Sequence, residues 1–276
     1  MPEKCTPKVK VYSASVQNLR NGCRMYGTMC VPATMKEGDK LPAILIVPGA
    51  GCRARTGYYT EAEQSFVTLE LGINYIPTVM DDERIYETLK QGSLLNYPSA
   101  NVDDKENYYY KRVFVSCARA VDFLASLDFV DADRIGVMGG SQGGALSIVC
   151  ASLQPKIKKA GVLYPYLCDY KRVWNLRLNP TAYTDLFDYF RMYDPAHERE
   201  DEVFELLGYI DIVNLAKRVK AEVFMATGLM DITCPPSTQF AMYNKLTCKK
   251  KYILYPEYGH EFIGDAYDRI FMFLTN

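Results

Sequence analysis

The feature that most constrains this chain is a six-residue word, Gly139-Gly140-Ser141-Gln142-Gly143-Gly144. It follows directly on the strand-like Arg134-Ile135-Gly136-Val137-Met138 and precedes a helical pattern over 145–153. A strand that enters a helix through so short a turn holds its central residue in a strained conformation, and side chains two residues to either side would collide with neighbouring backbone. Gly139 and Gly143 supply the room. The turn lifts the Ser141 hydroxyl above a sheet at the start of a helix, where N–H groups and the positive dipole end favour a developing negative charge. Such a strand–turn–helix is the nucleophile elbow, and it requires a parallel sheet with helices packed beside it.

The rest of the chain meets that requirement. Ala43-Ile44-Leu45-Ile46-Val47, bounded by Pro42 and Pro48-Gly49, reads as a strand covered on both faces. Residues 59–71 carry a helical pattern closed by Gly72, and 73–78 read as the next strand with Pro77 at its end. A helix over 104–127 leads through Asp131-Ala132-Asp133 into the strand at 134–138. Strands at 159–164, 221–227 and 251–255 and helices at 237–246 and 262–274 complete the alternation. Ahead of it, 8–16 and 25–31 flank Asn21-Gly22 as an antiparallel hairpin. The fold class is α/β, a mostly parallel, doubly wound sheet flanked by helices. Residues 165–213 break the alternation with aromatic and charged helical pieces, read as a lid-like insertion packed over one edge of the sheet. No repeat or linker divides the sequence, so 1–276 reads as one domain.

Composition excludes several classes of partner. The formal net charge is −1 with no basic block, which argues against nucleic acid and against a polybasic membrane anchor. No apolar run approaches the roughly eighteen residues of a membrane span, and Met1-Pro2-Glu3-Lys4-Cys5 lacks the apolar core of a signal peptide, so a cytoplasmic setting is expected. Nine cysteines form an odd set with no Cys-x-x-Cys pair. They read as small buried hydrophobes in a reducing compartment rather than a zinc site.

A serine hydroxyl needs a base, and the chain offers two histidines. His197, in the charged run Asp194-Pro195-Ala196-His197-Glu198-Arg199-Glu200, reads as a solvated helix-face residue. His260 follows the last strand, where the order Ser, then Asp or Glu, then His places the base. Asp231 comes just after the preceding strand, through Gly228-Leu229-Met230, and is positioned to hold the imidazole tautomer. For the oxyanion, one donor is the N–H of Gln142. The second comes from the loop after 43–47, with Ala50 first and Gly51 second.

With these residues placed, the chain resembles the acetyl xylan esterase and cephalosporin C deacetylase family, carbohydrate esterase family seven, within the α/β-hydrolase superfamily. The words that carry the resemblance are Asn107-Tyr108-Tyr109-Tyr110-Lys111-Arg112-Val113-Phe114, the elbow, Tyr209-Ile210-Asp211-Ile212-Val213-Asn214-Leu215-Ala216, Gly228-Leu229-Met230-Asp231-Ile232-Thr233-Cys234-Pro235-Pro236-Ser237-Thr238 and His260-Glu261. The resemblance implies removal of acetyl groups from small carbohydrate esters, acetylated xylo-oligosaccharides among them, and from cephalosporins, without a cofactor. It also implies Ser141, Asp231 and His260 as triad, with Ala50 and Gln142 at the oxyanion. Two words depart from the family's pattern. Val79-Met80-Asp81-Asp82-Glu83-Arg84 stands where an Arg-Gly-Gln word is usual, so no equivalent arginine carries over, and Pro48-Gly49-Ala50 replaces His-Gly-Tyr. Many members form ring-shaped hexamers through an N-terminal helical segment not read here, so the resemblance admits a homo-oligomer without fixing its form. Tyr58, Tyr59, Tyr108 to Tyr110, Trp174, Tyr183 and Phe187 are candidates for a sugar platform, though such a stripe is more often packing. Two other readings compete: the same triad acting on a different acyl group, as in a peptidase or lipase, and an inactive hydrolase-like binding protein.

Overall fold

The computed structural model describes residues 1–18, 24–50, 58–78, 84, 97–177 and 181–276. Eight strands form a sheet in the order β1-β2-β4-β3-β5-β6-β7-β8. β1 (Val9–Gln17) pairs antiparallel with β2 (Arg24–Pro32), the hairpin read from the sequence, whose Asn21-Gly22 turn lies outside the described residues. β1 alternates buried and exposed residues, as an edge strand with one wet face does. β2 also pairs antiparallel with β4 (Val67–Gly72), and from there β3 (Leu41–Ile46), β5 (Val130–Gly140), β6 (Ile157–Leu163), β7 (Glu222–Gly228) and β8 (Lys250–Tyr255) run parallel. The expected doubly wound, mostly parallel sheet is thus present.

One element differs from its sequence reading. The helix expected over 59–71 is only α1 (Tyr59–Glu63), and the strand expected at 73–78 is instead β4 at Val67–Gly72. The helix ends at a turn in which Ser65 takes φ 70°. Val67-Thr68-Leu69-Glu70-Leu71 alternates apolar and polar residues, but β2 and β3 flank it on both sides and bury every position. Two ladders of backbone hydrogen bonds override the helix preference of Leu and Glu.

α2 (Tyr109–Ala125) and α3 (Gln142–Leu153) cover one face of the sheet. α2 starts later than expected because Asp104 caps a separate turn, accepting from the N–H groups of Glu106 and Asn107. The insertion supplies α4 (Tyr170–Leu176), α5 (Thr184–Tyr193), α6 (Glu200–Ile210) and α7 (Ile212–Leu215). It packs on α3, on α8 (Pro236–Lys245) and on the single turn Tyr97–Ser99 rather than along an outer strand. The carboxylate of Asp211 ties its two ends, accepting from the N–H groups of Asp169, Tyr170 and Val213. Inside it Trp174 stacks among Phe187, Phe190 and Phe204, and His197 joins that cluster 5.2 Å from the indole. His197 is therefore a half-buried residue of a bend with φ 58°, not a solvated helix face. The other sheet face is closed by α9 (Gly264–Thr275), whose Ile270 and Phe273 pack on Ile44, Met138 and Phe224. No helix among the described residues is long and apolar enough to cross a membrane.

Candidate active site

The elbow forms as its glycines require. Ser141 sits between β5 and α3 at φ 57°, ψ −121°. A Cβ on Gly139 would stand 2.6 Å from the Val47 carbonyl oxygen, and one on Gly143 would overlap the same atom. Larger residues would force the elbow off β3. The turn is knitted to its neighbour, since Ser141 N–H donates to Leu163 O at 2.9 Å and Tyr166 N–H donates back to Ser141 O at 3.0 Å.

Loops after β7 and β8 bring the other candidates to it. Leu229 N–H donates to Tyr255 O and Met230 N–H to Tyr258 O, so the loop bearing Asp231 is pinned to the one bearing His260. His260 Nε2 lies 2.9 Å from Ser141 Oγ, and Nδ1 lies 2.8 Å from Asp231 Oδ2. The second carboxylate oxygen accepts the N–H groups of Thr233 at 2.9 Å and Cys234 at 2.7 Å. Asp231 is thus a fully buried carboxylate with three donors and its last acceptor atom aimed at the imidazole. Serine, imidazole and carboxylate stand in one hydrogen-bonded line. In such a line the imidazole can take a proton from the hydroxyl while the carboxylate stabilises the cation that forms.

Gln142 is buried at the first position of α3, where a helix leaves its N–H groups without intrahelical acceptors. Ala50 lies on the turn after β3, while Gly51 and 79–83 fall outside the described residues. Ser141 and His260 open into a cavity of about 340 Å³ whose other walls include Gly49, Tyr58, Glu70, Tyr164, Phe262 and Tyr267. Of the aromatic residues singled out from the sequence, Tyr58 lines this cavity, whereas Tyr108, Tyr109, Tyr110, Trp174 and Tyr183 are buried in the core.

Three neighbours were not singled out in the sequence. Tyr164, directly after β6, lays its ring 4.6 Å from the His260 ring. Burial, then Tyr267 and Asp231, push its phenol well up, so it stays neutral beside the imidazole. Cys234 is buried beside the serine. Burial pushes its thiol well above the ordinary range, opposed by a hydrogen bond with Ser141, so it is no rival thiolate. Glu70, on β4, lines the same cavity, in a segment whose sequence reads as helix.

Comparison with known proteins places this geometry in context. The model of the acetyl xylan esterase (AXE1) family matches residues 2–276. The acetyl esterase Axe7A of Xylanibacter ruminicola is 33% identical over 242 residues, covering 86% of this chain and 52% of that protein. The chain therefore spans about half the length of that curated relative. Among solved structures, acetyl xylan esterase 1 from Thermoanaerobacterium sp. JW/SL YS485 is 36% identical with a TM-score of 0.81, covering 99% of this chain and 88% of that one. The acetyl xylan esterase of Paenibacillus sp. R4 is 33% identical with a TM-score of 0.86, covering 97% and 84%.

Proposed function

Since the chain belongs to the acetyl xylan esterase family, a family of carboxylic ester hydrolases with the α/β-hydrolase fold, we propose that it removes acetyl groups from small carbohydrate esters through an acetyl-enzyme on Ser141. The observation that carries this reading is the unbroken line from Asp231 Oδ2 through His260 to Ser141 Oγ, with contacts of 2.8 and 2.9 Å.

Ser141 Oγ attacks the acetyl carbonyl carbon while His260 Nε2 takes the hydroxyl proton. The carbonyl oxygen becomes an oxyanion, held by the N–H groups of Gln142 and Ala50. Collapse of the tetrahedral species breaks the bond to the sugar oxygen, which leaves with the proton from His260. Water then gives a proton to His260 and attacks the acetyl carbon, and acetate departs as Ser141 regains its proton. Asp231 holds the proton on Nδ1, leaving Nε2 to accept. Tyr58, Phe262 and Tyr267 offer flat faces for a sugar ring around the cavity of about 340 Å³.

Ser141→Ala should lower kcat for 4-nitrophenyl acetate by at least about 10³-fold, because the members of such a triad act as a unit. Retention of most of the activity would refute the assignment. In the unmodified protein a fluorophosphonate probe should label Ser141. Rates across acetylated xylo-oligosaccharides, simple sugar acetates, a cephalosporin acetate and esters of increasing chain length then test the substrate class. A preference for long acyl chains would exclude it.

A further inference from the structure

The side chain of Gln142 bridges the elbow and the loop after β3. Its Nε2 donates to the Gly49 carbonyl at 3.1 Å and the Pro48 carbonyl at 3.4 Å. Its Oε1 accepts the Tyr110 hydroxyl at 2.8 Å and the Tyr97 hydroxyl at 3.2 Å. Gln142 and Tyr110 are fully buried and Tyr97 nearly so. The two carbonyls can only accept, so the NH2 must face them and the oxygen must take the phenol protons. All four hydrogen-bonding positions of the amide are then filled and it cannot turn over.

That lock reaches the oxyanion site through one peptide plane. The Gly49 carbonyl and the Ala50 N–H belong to the same trans peptide, in which the C=O and N–H bonds point in opposite directions. Holding Gly49 O against Nε2 therefore aims the Ala50 N–H away from the Gln142 side-chain amide. The 48–50 segment belongs to no strand or helix, so nothing in regular structure sets the tilt of that plane. The four buried hydrogen bonds stabilise the fold and also fix one orientation of the amide, and it is the orientation that bears on the site. We propose that the Gln142 side chain is the positioning group of the oxyanion site. The residue gives one donor through its main chain and aims the second through its amide, which Tyr110 and Tyr97 clamp. This rests on the proposed function above, with Ser141 as nucleophile and the Gln142 and Ala50 N–H groups as oxyanion donors.

The test uses Gln142→Met, Gln142→Glu and Tyr110→Phe, with thermal melts to establish folding and 4-nitrophenyl acetate as substrate. An oxyanion donor is worth about 10²–10³ in kcat, so a misaimed one in Gln142→Met should cost about 10- to 100-fold with KM within about twofold. Tyr110→Phe removes one clamp and should cost about threefold in kcat by loss of one hydrogen bond. Gln142→Glu gives a readout that packing alone would not move. A carboxylate cannot donate to Gly49 O, whereas the protonated acid can, so the ratio of variant to unmodified kcat should climb as pH falls, His260 titration cancelling in the ratio. Unmodified kcat in folded Gln142→Met, a loss carried in KM, or a ratio flat with pH would overturn the proposal. Should neither Gln142 variant fold, unchanged kcat in Tyr110→Phe overturns it and a lowered kcat at constant KM supports it. Failure of the underlying reading is separately visible, as absent probe labelling of Ser141 in the unmodified protein.

Discussion

Asp231→Asn probes the site at the member whose bonds are most fully accounted for. Oδ1 accepts two loop N–H groups and Oδ2 accepts His260 Nδ1. Asparagine keeps one acceptor and gains a donor, so it has two ways to sit. With its oxygen on the loop N–H groups, the NH2 faces Nδ1, the imidazole proton moves to Nε2, and the ring can no longer accept from Ser141. Turned over, the amide preserves the working tautomer but sets its NH2 against two buried N–H donors. Each donor left unsatisfied costs about 1–3 kcal/mol, so the productive orientation lies about 2–6 kcal/mol above the unproductive one. At about 1.36 kcal/mol per decade, kcat should fall roughly 30-fold to 10⁴-fold. The upper end matches the ~10⁴ lost by the same change in serine proteases. Because the favoured orientation leaves the loop bonds intact, the melting temperature should move by no more than about 4 °C, the equivalent of about 1 kcal/mol. Steady-state hydrolysis of 4-nitrophenyl acetate together with a circular-dichroism melt measures both. A folded variant within threefold of the original kcat would mean that the carboxylate does not set the tautomer.

Other consequences follow from the same contacts. Tyr164→Leu removes the ring lying on His260 and should lower kcat by about 10- to 100-fold at constant KM, as a small misplacement of a base does; unmodified kinetics would remove Tyr164 from the site. Asp211→Asn sets an amide donor against one of the three N–H groups that tie the insertion and should cost about 1–3 kcal/mol, read as a lowered melting temperature with kcat intact. Burial raises the Asp211 carboxyl, so its titration favours the fold fully below the unfolded value near pH ~3.9, and the benefit is lost as pH rises through the raised folded value. Melts from acid to neutral pH should therefore show the margin over Asp211→Asn narrowing, and a widening margin would contradict the burial effect. The chain has one tryptophan, in the insertion, so its fluorescence should melt together with the far-ultraviolet signal if insertion and sheet unfold as one unit; an earlier tryptophan transition would separate them.

What could be read in advance follows from how locally each feature is determined. β3, β6, β7 and the 135–139 end of β5 are apolar runs buried over most of their length, and the elbow is a backbone constraint written in adjacent glycines, so both are visible in a short window. β4 is hidden because its Leu and Glu favour a helix and its alternation is only five residues long, and pairing with β2 and β3, distant in sequence, makes it a strand. The half-buried place of His197 is hidden because a charged run says nothing of the Trp174 cluster behind it. The Gln142 amide was invisible for the same reason: its tyrosine partners stand 45 and 32 residues away.

Sheet order also accounts for a neighbour that no motif announces. The nucleophile follows β5 and the base follows β8, three strand spacings of about 4.8 Å apart, or roughly 14 Å. A 2.9 Å contact between them requires the β8 loop to lean back across the ends of β7 and β6. Asp231, after β7, meets the imidazole part-way on that return path. Whatever follows β6 must then lie beneath the ring, and that residue is Tyr164, whose N–H is tied to Ala226 O on β7. A flat, neutral side chain there supports the imidazole without competing for its two nitrogens, both already committed to Asp231 and Ser141. A charged or short side chain in its place would either titrate against the base or leave it unsupported, so the requirement for an aromatic residue after β6 comes from the topology and not from the words on either side of it.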